Sequence, residues 1–251
     1  MFLSSRGLGR STRCAIGVGW SIVRNGGWPA VLLVIALLAG CTQIYTWDIT
    51  TASTARPPSF DVGDLAHQPV ATVGLVAPGG LAGYSTSLSH ALVRALADVE
   101  PPIPGIPAHE IANMLNDQRL SAEYGELMAG FARTGIMERE RLQRIGSALG
   151  FRYMLLPGLA EINHLILDRF EFTGLKITRT RISTLRVWLQ LWDTRTGHIV
   201  WESSGEAATS SEVIRHDRLV PVYDIAEKLW RRMLQHDLIE GGTGSRSLLD
   251  L

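Results

Sequence analysis

The stretch T184-L-R-V-W-L-Q-L-W-D-T-R-T-G-H-I-V-W-E-S-S-G-E-A-A-T-S210 decides how the chain is read. Residues one apart alternate in character, and alternation with period two is the signature of a strand, not a helix. Ile182, Leu185, Val187, Leu189 and Leu191 fall near one face, while Trp188 and Trp192 are an even number apart and share the other. A strand apolar on both faces is a central strand covered on two sides. "TRTG" then turns the chain, and "HIVWESSGEAATS" returns as the hairpin partner, with Trp201 expected across from one of the other tryptophans. An exposed aromatic surface for a partner or a glycan is the competing reading of these three tryptophans.

Upstream of the hairpin the period changes. Before Gly150, apolar residues recur at helical spacing: Leu88, Ala91, Leu92, Ala95 and Leu96 predict a helix over Ser85–Ala97. Three further helical pieces follow, Ala108–Asn116, Ser121–Arg133 and Met137–Leu149, the last ended by Gly150 in the manner of a C-cap. "HQPVATVGLVAP" reads as a short buried strand, "EPPIPGIP" as an irregular connector, and "FRYMLLPGLAEINHLIL" as a second long strand. The expected sheet therefore draws on residues near 70–77, 152–167, 181–193 and 199–208. A last helix from Val222 to His236 closes the domain.

Further out lies "LLVIALLAGCTQ". The uncharged run before Cys41 would make a helix roughly 18 Å long, short of the roughly 30 Å hydrocarbon core of a bilayer. Arg6, Arg10, Arg13 and Arg24 precede it, and no acidic residue stands before Asp48. A basic stretch, a short apolar run and small residues before a cut describe a secretory signal. Leu38-Ala39-Gly40-Cys41 resembles the bacterial lipobox, which implies that Cys41 is acylated, for instance by palmitate, and becomes the new N-terminus. Thr42 after the cysteine, rather than Asp, resembles lipoproteins sent to the outer membrane. The division expected is thus a leader over 1–40, a lipidated cysteine and flexible Thr-, Ser- and Pro-rich tether over 41–66, an α/β domain over 67–237, and a flexible tail over 238–251.

The leader carries four of the 24 basic residues and none of the 24 acidic ones, so the remainder is mildly acidic. Nucleic-acid binding, which rests on a basic stripe, is not expected. The chain has two cysteines, one in the leader and one spent on lipid, so the domain must be held by its core and not by disulfides.

The order of these parts, above all "G-S-A-L-G-F-R-Y-M-L-L-P-G" and "W-D-T-R-T-G-H-I-V-W", resembles the periplasmic α/β lipoprotein domain of the curli secretion-channel subunit (CsgG-type) and of the penicillin-binding-protein activator lipoproteins. It is also similar to the N-terminal domain of the Tol-system propeller protein. The resemblance covers roughly residues 68–236. It implies a single mixed sheet of about four or five strands flanked by helices, with Asp193 capping the hairpin turn and Gly197 taking a positive φ there.

Chemistry is harder to find. "PGGLAGYSTS" sits where glycine loops cradle phosphates, but neither G-x-x-x-x-G-K-[ST] nor G-x-G-x-x-G is present, and a turn capped by Ser85 or Ser87 is the reading taken. "HEIAN" at His109 has Asn113 where a zinc motif needs its second histidine. No nucleophile elbow occurs. His164, His198 and His216 stand apart, as do Glu161, Glu171 and Asp193. Catalytic residues, metal ligands and cofactors are accordingly expected to be none.

Residues 168–181, "DRFEFTGLKITRTR", fall where curli-type subunits carry a membrane-inserting hairpin. Their charge leaves room for one short hairpin at most. They read better as a surface loop or docking edge strand, with Arg169, Glu171, Lys176 and Arg179 as the partner-binding residues. The whole is read as an outer-membrane lipoprotein facing the periplasm. Its expected role is that of a non-catalytic adaptor or assembly factor for another envelope protein, with homo-oligomerisation left open. A secretion-system or pore accessory subunit is the first alternative and a cell-wall hydrolase the second.

Overall fold

In the computed structural model the described residues are 45–170, 177–213 and 220–242, all of them within one compact unit, residues 43–251. The lipobox and Cys41 lie outside the described residues. No helix among the described residues is long and apolar enough to cross a membrane.

The long hairpin forms as its alternation requires. Strand β5 (Ile177–Asp193) pairs antiparallel with β4 (Tyr153–Phe170) on one side and with β6 (His198–Val213) on the other. At the β5–β6 turn, Asp193 Oδ1 accepts the amides of Arg195 (2.8 Å) and Thr196 (3.3 Å), and Gly197 takes φ 70°. β4 also pairs in parallel with β2 (Val70–Thr72), and β2 with the two-residue β3 (Gly105–Ile106). The sixth strand, β1 (Tyr45–Ser53), pairs antiparallel with β6, so the sheet order is β1-β6-β5-β4-β2-β3.

A mixed sheet flanked by helices is thus present, with six strands where four or five were expected. The two additions come from segments without a clear period. β1 corrects the tether reading of 41–66: residues 45–53 are a sheet edge, and beyond them Phe60 and Leu65 are buried, the latter on α1 (Asp64–His67). Small β-branched residues in "YTWDITTAS" pair well against a neighbouring strand, whereas their low hydrophobicity resembles a linker. β3 comes from the proline-rich connector. The regular part of β2 is shorter than expected, with only an isolated bridge at Val76 continuing it.

One face of the sheet is covered by α2 (Ser85–Ala97), by α6 (Val222–Arg232) and by the π-helical turn Met233–Ile239 that continues α6. Leu155, Leu185, Val187, Leu189, Leu191 and Trp201 point into this core. The opposite face, bearing Met154, Leu156 and Trp192, packs on α3 (Ala108–Asp117), α4 (Ser121–Thr134) and α5 (Arg139–Leu149). Gly150 ends α5 at φ 77°. The central-strand expectation for β5 therefore holds. Two details differ. Trp201 lies opposite Leu191, not a tryptophan, and a bulge at Leu191/Trp192 separates the two sets. Ile182, at odd separation from Leu185, falls on the face of Trp188.

The tail also begins later than residue 238. Leu238 is buried, and Asp237 beside it is a buried carboxylate that accepts hydrogen bonds from Thr51 Oγ1 (3.1 Å) and Ser203 Oγ (3.0 Å) and lies 3.0 Å from His236 Nδ1. Most buried polar side chains are paired in this way. The network ties β1, β6 and the π-helical turn together, and Arg56 adds a bond to the Leu238 carbonyl (2.8 Å).

Candidate docking surface

Strands β4, β5 and β6 are far longer than the helices that cover them. Past Ala160 they continue as an arm: β4 from Glu161 to Phe170, β5 from Ile177 to Arg186, β6 from Glu206 to Val213, with the first half of β1 beside β6. The arm begins at a bulge between Leu159 and Glu161. Bulges shift the pleat by one residue and increase local twist.

Arg186 marks the base of the arm. Its Nε donates to Glu206 (2.6 Å) and its Nη1 to Glu161 (2.7 Å), three side chains from three adjacent strands in one row. The hydrogen bond to Glu206, then the charges of Glu206 and Glu161, raise the guanidinium pKa above its ordinary value. Further out on the same face, Leu165 stands opposite Ile182, which pairs in turn with Ser210, and Ser210 hydrogen-bonds Thr46. On the other face, His164 Nδ1 lies 3.0 Å from Ser183 Oγ, and Ile166 stands opposite Arg181. Leu165 and Ile166 are 53% and 55% exposed, two of the five large apolar side chains that the described fold leaves in solvent. Adjacent residues point to opposite faces, so the arm is apolar at mid-length on both.

Two of the four residues singled out from sequence, Arg169 and Arg179, fall in the outermost rows of this arm. Arg169 is opposite Thr178, and Arg179 is opposite Asp168 on one side and Val213 on the other. Glu171 and Lys176 lie outside the described residues. Of the two readings of 168–181, the structure gives strand for 168–170 and 177–181. Sequence reasoning missed Leu165 and Ile166. The available signal was "HLIL", apolar at both parities in a strand flanked by charge.

The other candidates of the sequence resolve into architecture. "PGGLAGY" is a 3-10 turn over Gly79–Tyr84 running into α2, and no side chain caps that helix; Ser87 Oγ donates to the Tyr84 carbonyl (3.0 Å), which corrects the expected serine cap. His109 and Asn113 are exposed on α3. Among the described residues no three His, Cys, Asp or Glu side chains converge as a metal site would need. Trp188 is half-buried, lying across Gly158 with Phe131 at 6.3 Å. The cluster of Arg152 with Asp193 (3.0 Å) and Asp64 (2.6 Å), and of the Tyr153 hydroxyl donating to Asp64 (3.1 Å), fastens α1 to the start of β4. Burial, opposed by the Arg152 charge and helped by the bond to Asp64, raises the Tyr153 pKa well above the usual tyrosine value.

No protein-family model matches the chain, and no curated protein matches it in sequence. Among solved structures it is similar to the PelC dodecamer from Paraburkholderia phytofirmans, with 17% identity over 74% of this chain and 94% of that one and a TM-score of 0.39. It is also similar to lipoprotein GNA1162 from Neisseria meningitidis (13% identity, 60% of this chain and 87% of that one, TM-score 0.30). A third is the LpoB C-terminal domain from Salmonella enterica (15% identity, 58% and 90%, TM-score 0.35). Neither a curli secretion-channel subunit nor the Tol-system propeller protein is among these three.

Proposed function

We propose that this chain is an envelope lipoprotein that works by binding and not by catalysis, as an adaptor or assembly factor for another envelope protein. Cys41 carries its lipid and Thr42 directs it to the outer membrane, with the domain facing the periplasm. One observation carries the reading: a sheet whose strands run past their helical cover and present apolar and charged side chains on a bare arm. Exposed apolar groups rimmed by charge mark interaction sites. Anchoring raises the effective concentration toward neighbours in the same membrane shell to about the millimolar range for short linkers, so the arm needs only a modest interface.

The test is a crosslinking pull-down from membranes with residues 169–179 replaced by a tight turn. The arm's remaining rows, from Glu161 to Asp168 and from Thr180 to Arg186, keep their pairing. The variant should stay folded and membrane-bound and lose its partner. Partner capture at the original level would overturn the docking role of the arm tip. Separately, Cys41→Ser should release the protein from membranes, and unmodified Cys41 in membrane-derived protein would overturn the anchor.

A further inference from the structure

Beyond Leu159 the outer edge of β4 has no partner strand among the described residues. β2 meets β4 only over Tyr153–Leu155, and the bridge at Val76 ends the contact at Leu159, whose amide donates to the Val76 carbonyl (2.8 Å). From Glu161 to Phe170 no strand of the described fold lies on that side. Pro157 and Leu159 direct their main-chain groups outward, as their bonds with Val76 show. The bulge at Leu159/Glu161 then shifts the alternation by one, so Ile162, His164, Ile166 and Asp168 turn their main-chain groups to the edge, where no described strand pairs with them. An exposed edge of this length is a template for another strand unless lysines, prolines or a covering loop protect it. "EINHLILD" contains neither Lys nor Pro.

The long edge on the opposite side of the sheet, β1, differs. Trp47 on it is covered by the Lys228 ammonium at 3.8 Å, and its exposed positions Thr46, Asp48 and Ala52 carry no large apolar side chain. The β4 edge is the one with exposed Leu165 and Ile166.

We propose that this edge pairs with the same edge of a second copy, antiparallel about a two-fold axis through Ile166, so that two sheets join into one of twelve strands. The sequence is complementary to itself in that register. Ile166 meets Ile166 of the copy, Leu165 meets Leu167, His164 meets Asp168 and Ile162 meets Phe170, each of the last three twice. Opposed residues stay on one face, as the pleat demands, and both members of the Ile166 and the His164–Asp168 pairs point their main-chain groups across the junction. A register centred one residue earlier sets Asp168 against Ile162 and Leu167 against Asn163, which wastes both. The interface is isologous and closes at two copies. It uses Ile162 to Phe170 of β4, which of the four docking residues takes in Arg169 alone, and it stands whether or not the adaptor reading does.

The test uses the purified full-length chain in detergent with Cys14→Ser and Cys41→Ser, which leaves no native thiol. Opposed Cα atoms in a hydrogen-bonded antiparallel pair lie about 5.5 Å apart, inside the range of roughly 4.4–6.8 Å that a disulfide spans. Ile166→Cys should therefore crosslink to a dimer under mild oxidation. Leu165→Cys and Leu167→Cys should each stay uncrosslinked alone and crosslink when mixed. In sedimentation, Ile166→Lys should weaken self-association at least tenfold with an unchanged circular-dichroism spectrum, because that edge position makes no bond within its own sheet. Monomeric sedimentation of the parent chain, equal crosslinking at all three positions, or particles larger than dimers that persist in Ile166→Lys would each overturn the proposal.

Discussion

Strands β4, β5 and β6 live in two environments along their own length. In the body, Leu155, Leu191 and Trp201 share a row across three strands and are at most 1% exposed. In the arm, the row of Leu165, Ile182 and Ser210 leaves Leu165 half in solvent. The cause is length. An 18-residue strand such as β4 rises roughly 3.3 Å per residue and spans about 60 Å. α2, with 13 residues at 1.5 Å each, spans about 20 Å. Helices of that length cannot cover strands of this one, so part of the sheet runs past its cover among the described residues.

The contrast can be broken most sharply with one chemical change made twice. Leu189 is fully buried between the pairing partners Pro157 and Ser203. Leu189→Ala should cost about 2–5 kcal/mol, the range for removing a buried leucine with partial relaxation of the cavity. Urea denaturation followed by tryptophan fluorescence measures it. A loss below about 1 kcal/mol would mean that the body is packed no better than the arm.

A smaller effect is expected where body and arm meet. Gly158 lies under the Trp188 indole, and a methyl group added there would come within 1.8 Å of Cε2. Gly158→Ala must displace the ring and should cost about 1–3 kcal/mol, the usual range for overpacking. The displaced indole gives its own readout in the near-ultraviolet circular dichroism. An unchanged spectrum would show that Trp188 is not held as described.

Next in size is a pH effect confined to the body. Tyr153 has its pKa raised by burial, so the folded state holds this proton where the unfolded chain, near its ordinary pKa of about 10, gives it up. Its contribution is fully present below the unfolded pKa and declines as pH rises above it, with negative slope because the unfolded state binds fewer protons. Tyr153→Phe should lose about 1 kcal/mol at pH 8 with the bond to Asp64, and should show a shallower decline between pH 10 and 11 than the parent. Parallel curves would assign the alkaline loss elsewhere, Tyr124 being the other tyrosine whose pKa burial raises.

How much of this was legible in sequence follows the same division. Leu185, Val187, Leu189 and Leu191 alternate against Trp188 and Trp192, so the body of the hairpin and its two cores could be read directly, as could the switch from helix to strand at Gly150. β1 could not: its pairing with β6 joins residues 150 or more apart, and Thr, Ser and Ala suit a linker as well as an edge. Asp237 was invisible for a related reason, since a carboxylate near a chain end reads as surface until Thr51 and Ser203 are brought to it. The arm was half legible. Its charged tip drew notice through Arg169, Glu171, Lys176 and Arg179, but the apolar pair behind it read as ordinary strand, because the length of the helices relative to the strand is a three-dimensional quantity.

The smallest expected effect closes the comparison. Leu165→Ala makes in the arm the same change as Leu189→Ala in the body. Leu165 has one apolar neighbour across the ladder, Ile182, and is already 53% exposed, so truncation leaves no sealed cavity and returns little surface to water. Its alternation in the strand is kept, and no hydrogen bond depends on the side chain. Made in the Ile166→Lys background, where association through the β4 edge is removed, it should change the unfolding free energy by no more than about 0.5 kcal/mol, as surface substitutions do. If it costs as much as Leu189→Ala, the arm is part of the core and its exposed residues serve stability. If it is neutral there yet weakens self-association in the otherwise unchanged chain, the same leucine is silent in folding and active in recognition, and that separates the arm from the body by experiment.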